Sequence, residues 1–265
     1  ISQSSTYEMY FANNEGLLEY NGERWQLYKT PNESILRSVK AIGDKVYSGC
    51  YMDFGYWEKD DFGKMNYVSL VSKMEIDVME DEQFWNILSS ENYVLFQSLN
   101  RIYIINTSNL ELKIIESHNT VVKVYKVGDI IYFQKFNEGL FMIENGEQKL
   151  VTDSYLIKDK VIINVFNNGS DLLIQTKENG FYVNRNNTLE VWNQKLTDTL
   201  FHNSIYSSIK LKDGGYLLGT VSHGIILLDS DGEIELKVDQ TNGLSNNTVL
   251  SLFEDHRGNI WLGLD

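Results

Sequence analysis

The chain has 265 residues and a formal charge of −14, with 37 acidic side chains against 23 basic ones. A surface of this sign repels phosphate backbones, so direct nucleic-acid binding by this segment is not expected. Cys50 is the single cysteine, which excludes an intrachain disulfide. The sequence contains no apolar run as long as the roughly 18 residues that a membrane-spanning helix needs.

A repeated unit runs through the sequence and predicts a β-propeller. Each unit has an apolar strand, a turn rich in Gly, Asn and Asp, a second strand, and a Gly-hydrophobic pair that opens a third strand. The opening glycines Gly139, Gly180 and Gly224 lie 41 and 44 residues apart. A period of about 40–45 residues with four short strands is typical of propeller blades. We therefore expect an all-β propeller of about seven four-stranded blades, without helices, as a single domain over residues 1–265.

The strands can be placed in chain order from the alternation of apolar and polar residues. The second strands are predicted at Tyr7–Ala12, Lys45–Cys50, Tyr93–Gln97, Ile130–Gln134, Leu172–Thr176, Tyr216–Thr220 and Asn259–Leu264. One apolar residue marks each preceding inner strand, and we expect these at equivalent depths: Val39, Ile87, Val124, Val165, Ile209 and Leu252. Hairpin turns after the third strand are predicted at Asn21-Gly22, Asp61–Gly63, Asn145-Gly146, Asn186-Asn187 and Asp231-Gly232.

The last unit resembles the two-component-regulator propeller repeat. It begins Gly243-Leu-Ser, continues through an apolar strand to Glu254-Asp255, and then reads Gly258-Asn-Ile-Trp-Leu-Gly263. Leu264 stands where the family usually has Thr. The other units are diverged relatives of this pattern. The resemblance implies a β-propeller fold and a role in signal transduction.

In that family, propellers form the periplasmic sensor of hybrid histidine kinases or of related one-component transcriptional regulators. They are common in Bacteroidetes and often respond to oligosaccharides. The resemblance therefore implies a periplasmic, non-catalytic sensor segment of an inner-membrane receptor, which contacts other domains of the receptor and forms a homodimer at full length. Two alternatives stay open: a propeller enzyme acting on polysaccharide, as a lyase or glycosidase, and a protein-interaction scaffold.

Side chains able to support catalysis or metal binding do not form a recognisable motif. The histidines are scattered without ligand-like spacing: His118, His202, His223 and His256. Asp229–Glu233 resembles the start of a calcium loop, but Val238 occupies the place of the bidentate Glu, so we interpret the segment as a turn. The adjacent carboxylates Glu254-Asp255 and Asp60-Asp61 border turns, where we expect them to be solvated. No catalytic residue, metal or cofactor is predicted.

Aromatic and amide side chains cluster in or near the connection between second and third strands, and they predict a ligand-binding face. Aromatic rings stack on sugars, and Asn offers donors and acceptors to hydroxyl groups. The alternative interpretation is that the Asn residues favour the turns and the aromatic residues pack between blades. The predicted ligand-binding residues are Asn14, Tyr51, Phe54, Tyr56, Trp57, Asn100, Phe136, Asn137, Asn179 and His223.

The connection Lys73–Gln83 is longer than its counterparts and strongly acidic. Its acidic residues are Glu75, Asp77, Glu80, Asp81 and Glu82. Since a charge run usually forms a solvated surface, we expect a solvated acidic loop, with a partner-binding loop as the alternative.

Overall fold

The structure is a computed structural model that describes residues 1–144, 146–186, 188–201 and 203–265. Asn145, Asn187 and His202, which belong to two predicted turns and to the histidine set, lie outside the described residues. The chain divides into two compact units. One comprises residues 1–124 with 144–148, and the other comprises residues 125–143 with 149–265.

The described part of the first unit contains antiparallel sheets of four strands each, with neighbouring strands consecutive in sequence. The first sheet consists of β1 Ser2–Gln3, β2 Met9–Asn13, β3 Gly16–Tyr20 and β4 Trp25–Tyr28. The second consists of β5 Ser38–Ile42, β6 Lys45–Gly49, β7 Phe54–Lys59 and β8 Met65–Ser69, followed by helix α1 Leu70–Lys73. The third consists of β9 Asn86–Ser90, β10 Tyr93–Gln97, β11 Arg101–Asn106 and β12 Leu112–Glu116.

The same strand order continues along the chain. The fourth sheet consists of β13 Val121–Val127, β14 Ile130–Lys135, β15 Gly139–Glu144 and β16 Glu147–Thr152. The second unit adds a fifth sheet of β17 Ile162–Asn168, β18 Asp171–Thr176, β19 Phe181–Arg185 and β20 Thr188–Val191. Helix α2 Gln194–Leu200 precedes the sixth sheet, which consists of β21 Ile205–Lys210, β22 Tyr216–Thr220, β23 Ile225–Leu228 and β24 Ile234–Val238. A final pair consists of β25 Val249–Glu254 and β26 Ile260–Leu264.

The fold is an all-β propeller with four-stranded blades, as predicted, but the predicted number of blades and absence of helices were wrong. The described residues form six four-stranded sheets rather than about seven, because the last repeat supplies only β25 and β26. The two short helices each begin after a polar residue that caps them. Ser69 Oγ accepts a hydrogen bond from Ser72 N at 3.0 Å, and Asn193 Oδ1 accepts one from Leu196 N at 2.9 Å.

The glycine that opens the third strand is required by close backbone packing. Gly16 has φ +134°, and a Cβ atom there would lie 2.2 Å from the carbonyl oxygen of Tyr28 at the end of β4. Gly224 has φ +69°, and its Cβ atom would lie 2.0 Å from the oxygen of Val238 at the end of β24. Both the positive φ and the absence of space favour glycine, which explains why this residue marks the repeat.

The residues predicted on inner strands all lie on the first strand of a sheet: Val39, Ile87, Val124, Val165, Ile209 and Leu252. Their predicted equivalence fails in the sixth sheet. There Ser208, opposite Leu218, occupies the register position that Val39 occupies opposite Ser48. The turn at residues 211–215 is longer than the two-residue turn between β5 and β6. The prediction placed the inner-strand residue a nearly constant number of positions before the second strand, and in the sixth sheet this gives Ile209, one residue after the equivalent position.

In the third and fourth sheets, a buried glutamine near the end of the second strand makes hydrogen bonds to the segment that begins the next sheet. In the third sheet, Gln97 Nε2 donates to Val121 O at 2.9 Å. In the fourth sheet, Gln134 Nε2 donates to Lys160 O at 2.6 Å, and its Oε1 accepts a hydrogen bond from Ile162 N at 2.8 Å. Both glutamines have no exposed surface, so these bonds satisfy groups that water does not reach.

The fifth sheet departs from this arrangement. Gln175 is equally buried, but neither polar atom of its amide has a hydrogen-bond partner among the described residues. Asn164, which lies opposite Gln175 in the sheet, donates instead to Ser208 O at 2.8 Å. In the sixth sheet, Gly219 takes the glutamine position, and Ser207 Oγ donates to the beginning of β25 at 3.1 Å. The fifth sheet therefore bonds to the sixth through Asn164, and its buried glutamine is left without a hydrogen-bond partner among the described residues.

Candidate ligand-binding site

The connections predicted to bind a ligand are fixed by backbone hydrogen bonds. Because adjacent strands are antiparallel, the connection between the second and third strands lies at the same end of a sheet as the segment that leaves its fourth strand. We call this end the loop end. In the first unit, Val121 N donates to Leu99 O at 2.7 Å, and in the second unit Ile205 N donates to Lys177 O at 2.9 Å. These connections are therefore held in place rather than free in solvent.

Three predicted ligand-binding residues of the first unit are exposed at its loop end. Asn14 lies in the turn between β2 and β3, and Asn100 lies between β10 and β11, where its carbonyl accepts a hydrogen bond from Ser117 N at 2.9 Å. Tyr51 follows β6 and is 42% exposed. Each is accessible to a ligand.

The three predicted aromatic residues on β7 are buried instead. Phe54 has no exposed surface, and its ring is stacked on Phe96 with centroids 4.2 Å apart. Tyr56 is 7% exposed and Trp57 is 3% exposed. Trp57 Nε1 also donates to Ser48 Oγ at 2.8 Å, so its polar atom is already satisfied. These rings form part of the core because they pack against side chains of the neighbouring sheets, which corrects the prediction that their faces are available to a sugar.

The second unit places the other four predicted residues in connections at its loop end. Asn137 is exposed with φ +66°, and the neighbouring Phe136 is half-buried. Asn179 N donates to Thr176 Oγ1 at 3.1 Å, and His223 N donates to Thr220 Oγ1 at 2.7 Å. Asn179 and His223 thus make the same backbone hydrogen bond to a threonine three residues earlier, and this bond stabilises the turn in both repeats.

A more developed surface site in the first unit combines Tyr51 with residues that precede β5 and β9. Tyr51 pairs with Gln83 through an isolated β-bridge. Arg37 Nε donates to Gln83 Oε1 at 2.7 Å, and the Arg37 guanidinium carbon lies 4.8 Å from the ring centroid of Trp85. Trp85 is 38% exposed. We call these four residues the Trp85 platform.

The platform combines aromatic rings with hydrogen-bonding and charged groups. The Tyr51 hydroxyl donates to Asp81 Oδ1 at 2.5 Å, and this hydrogen bond raises the pKa of Tyr51. Tyr51 therefore remains neutral at physiological pH. Arg37 makes a cation–π contact with the Trp85 ring, and part of the indole surface stays accessible. The arrangement can stack a ring and hydrogen-bond its substituents.

The acidic connection that bears part of the platform is anchored by Glu82, contrary to the prediction of a wholly solvated loop. Glu82 is 6% exposed. Its carboxylate accepts hydrogen bonds from Ser98 Oγ at 2.5 Å, Tyr103 Oη at 2.8 Å and Met79 N at 2.9 Å. Met52 N in turn donates to Glu82 O at 2.8 Å. A buried carboxylate satisfied by three donors holds the loop against β10 and β11, and the other acidic side chains of the loop are exposed as predicted.

Tyr51 belongs to the predicted set of ligand-binding residues, whereas Arg37, Gln83 and Trp85 do not. Those three residues precede the first strand of a sheet, whereas the prediction considered only residues in or near the connection between the second and third strands. An available signal was Trp85 itself, a large apolar residue directly before β9 and beside an acidic loop. The topology brings both kinds of segment to the same loop end.

Ionisable side chains that lie close together are the usual basis of catalytic and metal centres. Among the described residues, no group of three or more His, Cys, Asp and Glu side chains is placed to hold a metal ion. Burial raises the pKa of Asp53, although Ser69 Oγ and Tyr67 Oη donate to its carboxylate at 2.7 and 3.1 Å. Asp229 lies at the hairpin before β24, and its Oδ1 accepts from two backbone N–H groups of the turn, as expected for a turn.

Comparison with protein families identifies the last repeat. Residues 243–265 match the family model described as the two component regulator propeller, which confirms the resemblance seen in that repeat. No curated protein matches the chain. Neither of the described helices is long and apolar enough to cross a membrane.

Solved structures with the same fold include extracellular domains of one component and two component systems. The extracellular domain of the putative one component system BT4673 from B. thetaiotaomicron has a TM-score of 0.76 and 19% identity, over 99% of this chain and 36% of that chain. The extracellular domain of the putative hybrid two component system BT3049 from B. thetaiotaomicron has a TM-score of 0.71 and 16% identity, over 100% of this chain and 38% of that chain. The WD40 β-propeller domain of Doa1 has a TM-score of 0.72 and 11% identity, over 97% of this chain and 86% of that chain. At these identities the likeness shows the fold, and this chain spans little more than a third of the two B. thetaiotaomicron domains.

Proposed function

We propose that this chain, which carries a two component regulator propeller repeat at residues 243–265, is an extracytoplasmic ligand-sensing segment of a membrane-spanning regulator. The regulator is a hybrid two-component system or a one-component system. The family match is the observation that carries the proposal. It is supported by the structural likeness to two extracellular domains of such systems.

An oligosaccharide is the proposed ligand, and the Trp85 platform is its proposed contact in the first unit. Trp85 offers an accessible ring, and Arg37 contacts both this ring and the amide of Gln83, which pairs with Tyr51. A sugar has apolar ring faces and hydroxyl groups, which match an aromatic surface edged by hydrogen-bonding groups. Asn14 and Asn100 are further exposed amides at the loop ends of the first unit. The second unit offers Asn137, Asn179 and His223, and these remain proposed contacts.

A non-catalytic role fits the ionisable groups better than a polysaccharide lyase or glycosidase. Glycosidic cleavage needs two carboxyl groups across a substrate, one with a raised pKa. Burial raises the pKa of Asp53, but its carboxylate is engaged by Ser69 and Tyr67 rather than facing an opposing carboxylate. The arrangement therefore favours binding without chemistry.

The oligosaccharide proposal can be tested by titrating the purified chain with a panel of neutral and acidic oligosaccharides. We expect a subset to bind, and Trp85→Ala to weaken binding about tenfold or more, as loss of a central aromatic contact does. Trp25 provides a matched control, because it is 54% exposed in the same unit but lies on β4, away from the loop end. Trp25→Ala should bind normally.

Equal loss in the Trp85→Ala and Trp25→Ala variants would refute the platform as the binding site. If no oligosaccharide binds the chain or its full-length parent, the oligosaccharide proposal is wrong. Binding of a protein partner, with no small ligand, would instead favour the interaction-scaffold alternative.

A further inference from the structure

A pocket of about 380 Å³ lies in the first unit, at the opposite end of the first two sheets from their loop ends. It is lined by the connection between β1 and β2, the turn between β5 and β6, and the ends of β7 and β8 that face this turn. Its apolar lining consists of Tyr10, Val46 and Met65, which are 3%, 4% and 7% exposed. The volume is at the small end of the range for ligand pockets, so a molecule of one or two rings fits it.

One wall of the pocket holds an ionised carboxylate surrounded by hydroxyl groups. Glu8 Oε2 accepts hydrogen bonds from Ser4 Oγ and Thr6 Oγ1, each at 2.5 Å. Burial alone would raise the pKa of Glu8, but these hydrogen bonds lower it. Glu8 therefore stays charged at neutral pH and can accept a further hydrogen bond at Oε1. Ser5 adds a third hydroxyl residue to the same wall.

The lysines of the pocket are already engaged elsewhere. Lys59 Nζ lies 2.7 Å from Oε1 of Glu19, a buried carboxylate whose Oε2 accepts a hydrogen bond from the Tyr28 hydroxyl at 2.7 Å. Lys45 Nζ lies 4.2 Å from the ring centroid of Tyr56. Neither ammonium group therefore faces the pocket without a partner.

Two carboxylates of the opposite wall remain free of partners. Asp44 in the β5–β6 turn and Glu58 on β7 line the pocket, and neither side-chain carboxylate makes a hydrogen bond or ion pair with another described residue. With Glu8, they give the pocket three carboxylates against the two ammonium groups of Lys45 and Lys59, and Lys59 is already paired with a fourth carboxylate, Glu19. The free charge in the pocket is therefore negative.

We propose that this pocket binds a small hydroxylated amine in its protonated form, of the amino-sugar class. The ammonium group would pair with Asp44 and Glu58, the hydroxyl groups would bond to Glu8 and its neighbouring hydroxyls, and the ring would pack on the apolar lining. A neutral sugar gains only the last two interactions, and an anion is repelled. This site goes beyond the proposed function, because it uses other residues at the other end of the sheets.

The test is a calorimetric titration of the purified chain with glucosamine and N-acetylglucosamine, at a pH where the amine is protonated and the carboxylates are ionised. The two probes differ in charge but share a ring, so we expect glucosamine to bind the more tightly. Since both carboxylates are at least partly solvated, Glu58→Gln and Asp44→Asn should each weaken glucosamine about three- to fivefold. Glu235→Gln, an exposed carboxylate on β24, is the matched control and should bind normally.

Raised salt should weaken glucosamine binding and leave N-acetylglucosamine unchanged, because only the charged probe is screened. Equal affinities for the two probes would overturn the proposal. So would absent binding at millimolar glucosamine, or full affinity in the Asp44→Asn, Glu58→Gln double variant. These outcomes are independent of the Trp85 platform, whose test uses different ligands and variants.

Discussion

Replacing Gln134 and Gln175 by leucine should have opposite effects on stability, although both side chains are fully buried in equivalent strands. Gln134→Leu removes two hydrogen bonds and leaves Lys160 O and Ile162 N without their partner. Each buried group left unsatisfied costs about 1–3 kcal/mol. After allowing for the apolar gain from leucine, we expect the free energy of unfolding to fall by about 2–4 kcal/mol.

Gln175→Leu removes an amide whose polar atoms have no hydrogen-bond partner among the described residues. Replacing such a group by an apolar one of similar size is neutral or stabilising, by up to about 2 kcal/mol. Urea unfolding followed by tryptophan fluorescence and circular dichroism measures both variants, and comparison of midpoint and slope tests whether the transition stays cooperative. If Gln175→Leu destabilises the chain as much as Gln134→Leu does, the account of the fifth sheet is wrong.

Two further predictions concern the turns and the dependence of stability on pH. Gly224→Ala should destabilise the chain by about 1–3 kcal/mol more than Gly128→Ala. Both glycines have positive φ, but only at Gly224 would the new Cβ meet a backbone oxygen, that of Val238. Equal urea midpoints for the two variants would contradict the close packing at Gly224. Burial alone would raise the pKa of Asp255, but hydrogen bonds, first of all from Asn259, lower it well below its ordinary value. Ionised Asp255 therefore contributes its full stabilisation of the folded state above the unfolded-state pKa of about 4. This stabilisation is lost progressively as the pH falls below that value. Asp255→Asn should flatten the loss of stability measured as the pH falls below about 4, and an unchanged slope there would contradict this assignment.

The repeat could be predicted because its physical causes are local. A glycine is needed wherever the third strand begins against a carbonyl oxygen, as at Gly16, so the period is visible in the sequence. The blade number was harder, since the last repeat matches the family motif strongly yet contributes only β25 and β26. The predicted register position of Ile209 was wrong for a related reason, since the length of a turn varies between repeats while the motif stays recognisable.

The candidate site was predictable only in part, because it combines segments distant in sequence. Tyr51 was found from its connection, but Arg37 and Trp85 reach it through tertiary contacts alone. Burial could not be inferred either. Phe54 and Tyr51 are three residues apart and both aromatic, yet one is in the core and the other is exposed.

The measurement that tests the sensor proposal most directly is a transcriptional reporter driven by the full-length parent receptor. Trp85→Ala and Trp25→Ala would be compared with the unaltered receptor at equal protein level, with an oligosaccharide inducer identified from the panel. The proposal predicts that Trp85→Ala shifts induction to about tenfold higher inducer concentration or abolishes it, while Trp25→Ala responds normally. Unchanged induction in Trp85→Ala would contradict the proposal that the platform receives the signal.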